Sequence, residues 1–260
     1  IAVTGARRKG KILGLAAAGF PESLCGVQID KGEAPFDELP TPECLKTRNF
    51  VRIQDGCDRF CTYCVIPYLR GRSRSRSLES AAAEILGSRA QETVLTGIDI
   101  SSYRDERGHD LADLLLAVRD AETRIRLGSI EESLIDDRFL AAAKEVKNFA
   151  PQFHLSLQSG SDRVLRSMNR HYTRAEYLGK CEKIRSVFPD AAITTDIIAG
   201  FPTETEEDFA GTLSLVEEAD FSSAFTFVYS PRTGTKAATM EGQIPEEVSK
   251  ERIARLIGRV

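Results

Sequence analysis

The chain has 260 residues, 42% hydrophobic and 28% charged, with a formal net charge of −4, a length that suits one large α/β domain of the kind that runs to roughly 200–250 residues. The mild acidic excess excludes nucleic-acid binding through the overall field, so any RNA contact has to come from local basic patches. No apolar run approaches the ~20 residues that cross a bilayer and the start lacks a basic-then-apolar signal pattern, so the expectation is a cytoplasmic protein with no membrane contact.

Residues 1–47 read as a partial amino-terminal domain and linker, in which Cys25 and Cys44 are isolated thiols among Pro, Gly and Glu. From residue 48 to 260 the chain alternates short apolar runs with amphipathic ones. Strands are predicted at 50–53, 93–95, 124–127, 152–157, 192–198 and 224–229, bounded by turn or cap residues. Helices are predicted at 78–90, 111–121, 136–148, 174–187 and 204–218 from apolar residues at helical spacing. A repeated strand-then-helix order argues for a parallel sheet with helices outside. In barrels of this kind the chemistry sits at the carboxyl ends of the strands.

The run Gln54-Asp-Gly-Cys-Asp-Arg-Phe-Cys-Thr-Tyr-Cys-Val-Ile-Pro carries Cys57, Cys61 and Cys64. Gaps of three and two let one loop supply three thiolates to three corners of a cubane iron–sulfur cluster and leave the fourth iron open for chemistry. A disulfide framework fits poorly, since three neighbouring thiols cannot all pair and no secretion signal is present. A structural zinc site would need a fourth ligand, and the three histidines are scattered. Cys181 differs from these three. It falls in a helical pattern, where a thiol packs as a small hydrophobe.

The CxxxCxxC spacing, with Tyr63 just before the last cysteine, resembles the radical S-adenosylmethionine (SAM) superfamily. The longer string from Phe50 to Arg76 resembles its methylthiotransferase branch. Further blocks agree in order: Leu95-Thr-Gly-Ile-Asp, Arg126-Leu-Gly-Ser-Ile-Glu, His154-Leu-Ser-Leu-Gln-Ser-Gly-Ser-Asp, Met168-Asn-Arg, Thr195-Asp-Ile-Ile-Ala-Gly-Phe-Pro and Tyr229-Ser-Pro-Arg-Thr-Gly-Thr. The resemblance implies a partial (βα)6 barrel holding a [4Fe-4S] cluster on Cys57, Cys61 and Cys64. SAM would sit on the open iron, and its one-electron cleavage would yield a 5′-deoxyadenosyl radical. The reductant would be an electron donor such as flavodoxin or ferredoxin.

The same resemblance places Tyr63, Thr96, Gly97, Glu131, Gln158, Ser159, Gly160 and Gly200 around SAM. Each also has a plainer reading. Gly97 is equally a strand-end turn, Glu131 a surface carboxylate, and the Gln158-Ser159-Gly160 segment a lead into a helix capped at Ser161. Gly200-Phe-Pro-Thr-Glu-Thr is already explained as a helix-start turn. No acid–base residue is assigned a catalytic role. Arg70, Arg72, Arg74 and Arg76, if extended, would project to one side at about 6.6–6.8 Å intervals and could meet an RNA backbone. Their alternative is a solvated or salt-bridged run.

Enzymes of the resembling family add a methylthio group to an adenine beside the tRNA anticodon. The Leu95-Thr-Gly-Ile-Asp-Ile-Ser-Ser-Tyr and Tyr229-Ser-Pro-Arg-Thr-Gly-Thr-Lys-Ala-Ala runs favour N6-threonylcarbamoyladenosine tRNA as substrate, with isopentenyladenosine tRNA or a ribosomal protein as alternatives. The family's amino-terminal domain donates cysteines to a second [4Fe-4S] cluster, and Ile1-Ala-Val-Thr-Gly-Ala puts Ala6 where one of them is expected. That leaves two further readings. One is another radical SAM reaction on the same core, and the other is a binding fragment without turnover.

Overall fold

A computed structural model describes residues 2–4, 10–19, 26–28, 35–38 and 46–260. Ala6, Cys25 and Cys44, and with them the expectation of a second cluster, lie outside the described residues. Within the amino-terminal part, Ala2–Thr4 pairs in parallel with Gly26–Gln28, and Gly10–Ala17 is helical.

Strict alternation along a strand forces one face into the core and leaves the other for chemistry. In Ala192–Ala199 the residues Ile193, Thr195, Ile197 and Ala199 are buried, while Thr194, Asp196 and Ile198 on the opposite face are half-buried. Six strands share one parallel order: β1 (Arg48–Arg52), β2 (Glu92–Thr96), β3 (Arg124–Leu127), β4 (Gln152–Leu155), β5 (Ala192–Ala199) and β6 (Ser223–Val228). Pairing runs β1–β2–β3 and β4–β5–β6. The short strand Ser129–Ile130 continues β3 beyond Gly128 and pairs with His154 and Leu155 of β4, joining the two halves. Among the described residues β6 does not pair with β1, so the barrel is open. This is the partial (βα)6 architecture that the resemblance implies.

The helices cover the outer face: α1 (Leu78–Leu86), α2 (Leu111–Ala117), α3 (Asp137–Glu145), α4 (Arg174–Val187), α5 (Glu206–Ala219) and α6 (Glu246–Ile257). The first five start at Ser77, Asp110, Asp136, Thr173 and Thr205, whose side chains accept a hydrogen bond from the backbone three residues on. Such a cap is worth about 1 kcal/mol. Thr205 in that role explains why α5 begins two residues after the predicted start. α1 ends at Leu86, four residues before its predicted end, with Gly87 as its C-cap.

One continuous apolar layer lies between strands and helices, including Leu95, Ile125, Leu155, Ile197, Tyr177 and Phe209. Each fully buried aliphatic or aromatic side chain contributes roughly 1.5–3 kcal/mol. Tyr177 keeps its hydroxyl satisfied there by donating to the Leu155 carbonyl at 2.6 Å. Cys181, one turn further along α4, is 1% exposed, and burial pushes its thiol up to about 12. It is an inert core residue, as its sequence context implied.

Candidate functional site

The cysteine loop is built from its neck upward. Gln54–Asp55 pairs antiparallel with Arg74–Ser75, closing residues 56–73 into a loop at the end of β1. Gly56 sits at φ +76°, and a Cβ there would lie 2.0 Å from the Arg72 carbonyl oxygen, so only glycine passes this neck. The buried Gln54 amide accepts from the backbone N–H groups of Ile98 (3.0 Å) and Asp99 (2.8 Å), locking the loop to the end of β2.

Further out, the segment around Met168 holds the loop. Thr62 donates through its N–H to Met168 O (3.0 Å) and through its hydroxyl to Ser167 O (2.9 Å). The Asn169 amide donates to the carbonyls of Arg59 (3.0 Å) and Phe60 (3.2 Å). Phe60 is at φ +50°, a strained position for an aromatic residue that persists only where the surroundings fix it. Arg59 in turn reaches Asp99 (3.2 Å) and Ser133 (3.1 Å) across the barrel mouth.

Cys57, Cys61 and Cys64 are free and half-buried. Burial raises the Cys57 thiol to about 11, against the opposing effect of the Arg59 N–H, and raises Cys64 against the N–H of Ile66. Without a metal the Cys57 and Cys64 thiols stay protonated at neutral pH; a metal would displace the protons. No three His, Cys, Asp or Glu side chains among the described residues converge on a single ion. Three accessible sulfurs, each with an N–H donor and none in a disulfide, make a soft donor set that fits iron–sulfur ligation.

Beside the loop lies a cavity of about 290 Å³ lined by Tyr63, Gln158, Asp196, Ile198, Phe227 and Tyr229 among others. Gln158 is 9% exposed and sits at φ +70°. Two backbone bonds to β5 hold it there, its N–H to Asp196 O (2.8 Å) and its carbonyl accepting from Ile198 N–H (2.9 Å). Asp196 is oriented by His154, whose Nε2 lies 2.9 Å from Oδ2 while Nδ1 lies 2.9 Å from Thr194 Oγ1.

A soft-metal loop and a cavity thus share the carboxyl end of an open parallel barrel. The Radical SAM superfamily matches this chain over residues 51–216. The chain belongs to that superfamily. The tRNA-2-methylthio-N(6)-dimethylallyladenosine synthase of Clostridium perfringens (strain SM101 / Type A) is 43% identical over 254 residues, covering 92% of this chain and 57% of its own length. The enzyme of the same name from Caldicellulosiruptor saccharolyticus is 44% identical over 230 residues, covering 84% of this chain and 48% of its own. The chain therefore spans about half the length of these relatives. Among solved structures, the radical SAM methyltransferase TsrM from Kitasatospora setae aligns with TM-score 0.61 at 14% identity, covering 73% of this chain and 38% of that one. Coproporphyrinogen III oxidase from Escherichia coli aligns with TM-score 0.59 at 18% identity, covering 80% and 50%. These two show the superfamily fold.

Of the expected SAM contacts, the structure brings Tyr63 and Gln158 to the cavity. Thr96 ends β2 half-buried, its carbonyl accepting from Ile53 N–H (2.9 Å). The glycines are also fixed by protein packing. A Cβ on Gly97 would lie 2.9 Å from both the backbone and the side-chain oxygen of Gln54, and one on Gly160 would lie 2.6 Å from Thr212 Cα. Gly200, at φ +77°, abuts Ser249. Ser159 is fully buried, 3.5 Å from Thr212 Oγ1 in α5. Glu131 is gripped by both guanidinium nitrogens of Arg170.

Three of the four arginines in the row are spent on ion pairs within the fold. Arg70 and Arg74 donate to the buried Asp55 (2.7 and 2.9 Å) and Arg76 pairs with Glu84 inside the fold. Only Arg72 of the four is mostly exposed, at 64%. The row fails because Arg70 ends the short helix Ile66–Arg70 and only Arg74–Ser75 is strand, so the side chains never share an extended face. Residues that the sequence reasoning left without a role, Asn169, Arg170, Asp196 and His154, lie inside the quoted blocks. Their side chains are placed at the site through contacts 39 to 110 residues away.

Proposed function

We propose that this chain is the radical SAM core of a tRNA methylthiotransferase acting on N6-dimethylallyladenosine. The single observation that carries it is the cysteine loop at the carboxyl end of the barrel, in a chain 43% identical to a synthase of that name over 92% of its residues. The substrate choice departs from the threonylcarbamoyl expectation. That expectation rested on two short runs, whereas the likeness to dimethylallyladenosine synthases extends over 254 aligned residues.

In this reading Cys57, Cys61 and Cys64 hold a [4Fe-4S] cluster, and the Tyr63–Gln158–Asp196 cavity takes the adenosyl part of SAM. A bound cluster would supply the single electron that cleaves a carbon–sulfur bond of SAM. The protein's own residues do the positioning. Asn169 and Thr62 fix the loop, the strained Gln158 backbone fixes the cavity wall, and His154 fixes the Asp196 carboxylate. Phe201 packs edge-on against Tyr63 (6.4 Å between centroids) and keeps that wall apolar.

The test is anaerobic reconstitution with iron and sulfide, then incubation with SAM, a strong reductant and tRNA carrying either modified adenosine. Nucleoside mass spectrometry should find a methylthio group on dimethylallyladenosine and none on threonylcarbamoyladenosine. The reverse preference would restore the earlier substrate. 5′-Deoxyadenosine formation without either product would reduce the reading to a radical SAM core that does not transfer sulfur by itself.

A further inference from the structure

Each cysteine sulfur of the loop has one N–H donor, and the three donors are not alike. Cys57 accepts from the backbone N–H of Arg59 at 3.4 Å, and Cys64 from that of Ile66. Both donors lie two residues downstream, so the loop carries them wherever it folds. Cys61 instead faces Nη1 of Arg170 at 3.7 Å, a charged group 109 residues away in sequence.

Arg170 is in no position to wander. Its side chain is 4% exposed. Both terminal nitrogens grip the two carboxylate oxygens of Glu131, Nη2 also donates to Ser156 O (3.2 Å), and Nε donates to Tyr172 Oη (3.3 Å). A planar fork held at its far side by a carboxylate has its remaining Nη1 hydrogen aimed by geometry, and here it is aimed at sulfur. Glu131 is then the anchor of the fork, a different role from direct contact with SAM.

We infer that Arg170 is a positioning and redox-tuning residue for the cluster, with Glu131 as its counter-charge. A charge-assisted N–H bond to a cluster thiolate, and positive charge beside it, stabilise the reduced form and raise its potential. Glu131 both aims the guanidinium and offsets part of its charge. The pair therefore acts on the cluster with opposite signs. This rests on the cluster assignment made above.

The experiment is an EPR-monitored redox titration, without SAM, of the reconstituted 260-residue chain as wild type, Arg170→Gln, Arg170→Lys and Glu131→Gln. Arg170→Gln should shift the midpoint potential down, and Arg170→Lys should shift it less because the charge remains while the fork is lost. Glu131→Gln should shift it up, since Arg170 then faces the sulfur without its counter-charge. A residue that merely braces the fold would not produce opposite shifts from the two partners. Unchanged potentials in variants that load iron like wild type would overturn the inference, as would a shift of the same sign from both. If Arg170→Gln loads no cluster, the Lys and Glu131 variants decide by the same signs. A wild-type chain that binds no iron would instead sink the cluster reading itself, so the two failures are distinguishable.

Discussion

The cysteine loop and the turn after β5 both carry a run of residues that resembles a cofactor site, yet the folded chain treats them in opposite ways. In the turn, the buried polar groups pair within the protein. Gly200 N–H donates to Glu204 (2.8 Å), and the buried Glu204 carboxylate pairs with the buried Arg252 of α6 (2.7 Å). Burial raises the Glu204 pKa, with the Gly200 N–H and Arg252 opposing that rise. In the loop, the sulfurs keep surface and receive single N–H bonds from a framework that holds their backbone rigid. The lesson is that a polar signature at a strand end marks chemistry where its reactive atoms are left accessible, and packing where they are not.

The largest effect should come from breaking the first half of that comparison. Cys61→Ala removes one of the three proposed ligands, so 5′-deoxyadenosine formation should fall to background, and bound iron should drop from about four per chain. Cys181→Ala, in the core, should keep both and cost only about 1 kcal/mol in urea unfolding. Cluster spectra that survive in the first variant would mean the ligand set is wrong.

Gly200→Ala probes the second half. An ideal Cβ would lie 2.1 Å from Ser249 Oγ on a backbone at φ +77°, so overpacking and strain act together. A loss of about 3 kcal/mol in denaturant stability is expected, with SAM affinity of the folded protein unchanged. Full stability with lost SAM binding would make this turn a cofactor site after all.

The barrel was readable from the sequence because six apolar runs and five amphipathic ones alternate. The cysteine loop was readable because its chemistry is local, three thiols within eight residues. What stayed hidden is what depends on distant partners. Nothing near Gly97 in sequence announces Gln54, and nothing near Arg70 announces that Asp55 will accept from three arginines, Arg52, Arg70 and Arg74. Arg170 is the clearest case, since its contacts with Glu131 and Cys61 lie 39 and 109 residues away.

A smaller effect belongs to another self-satisfied group, Asp105, which holds the loop before α2 against the start of α1. Burial by itself would raise its pKa. The His109 ring and the backbone N–H groups of Leu78, His109 and Arg107 outweigh that and hold it down to about 2. A carboxylate with a depressed folded pKa adds stability above its unfolded value near 3.8, and that stability is lost as pH falls toward the folded value. Asp105→Asn should therefore cost about 2 kcal/mol at pH 7 and much less at pH 2. An equal loss at both pH values would assign the effect to shape instead of charge.

The finest division falls within the arginine row itself, where neighbours two residues apart should separate into packing and contact. Arg74 is one of three donors to Asp55, whose side chain is 1% exposed, so Arg74→Ala should cost about 1.5 kcal/mol of stability while Arg52 and Arg70 keep the carboxylate paired. Arg72 carries only an exposed pair to Asp58 (3.1 Å) and a stack on Phe60 (5.0 Å), so Arg72→Ala should leave stability within ~0.5 kcal/mol. If tRNA crosses the cysteine loop, the same Arg72 change should lower the salt dependence of RNA binding by about one phosphate contact, and Arg74→Ala should not. An unchanged salt slope in Arg72→Ala would move the RNA away from this face, and a lowered slope in Arg74→Ala would mean that the Asp55 cluster opens when RNA binds.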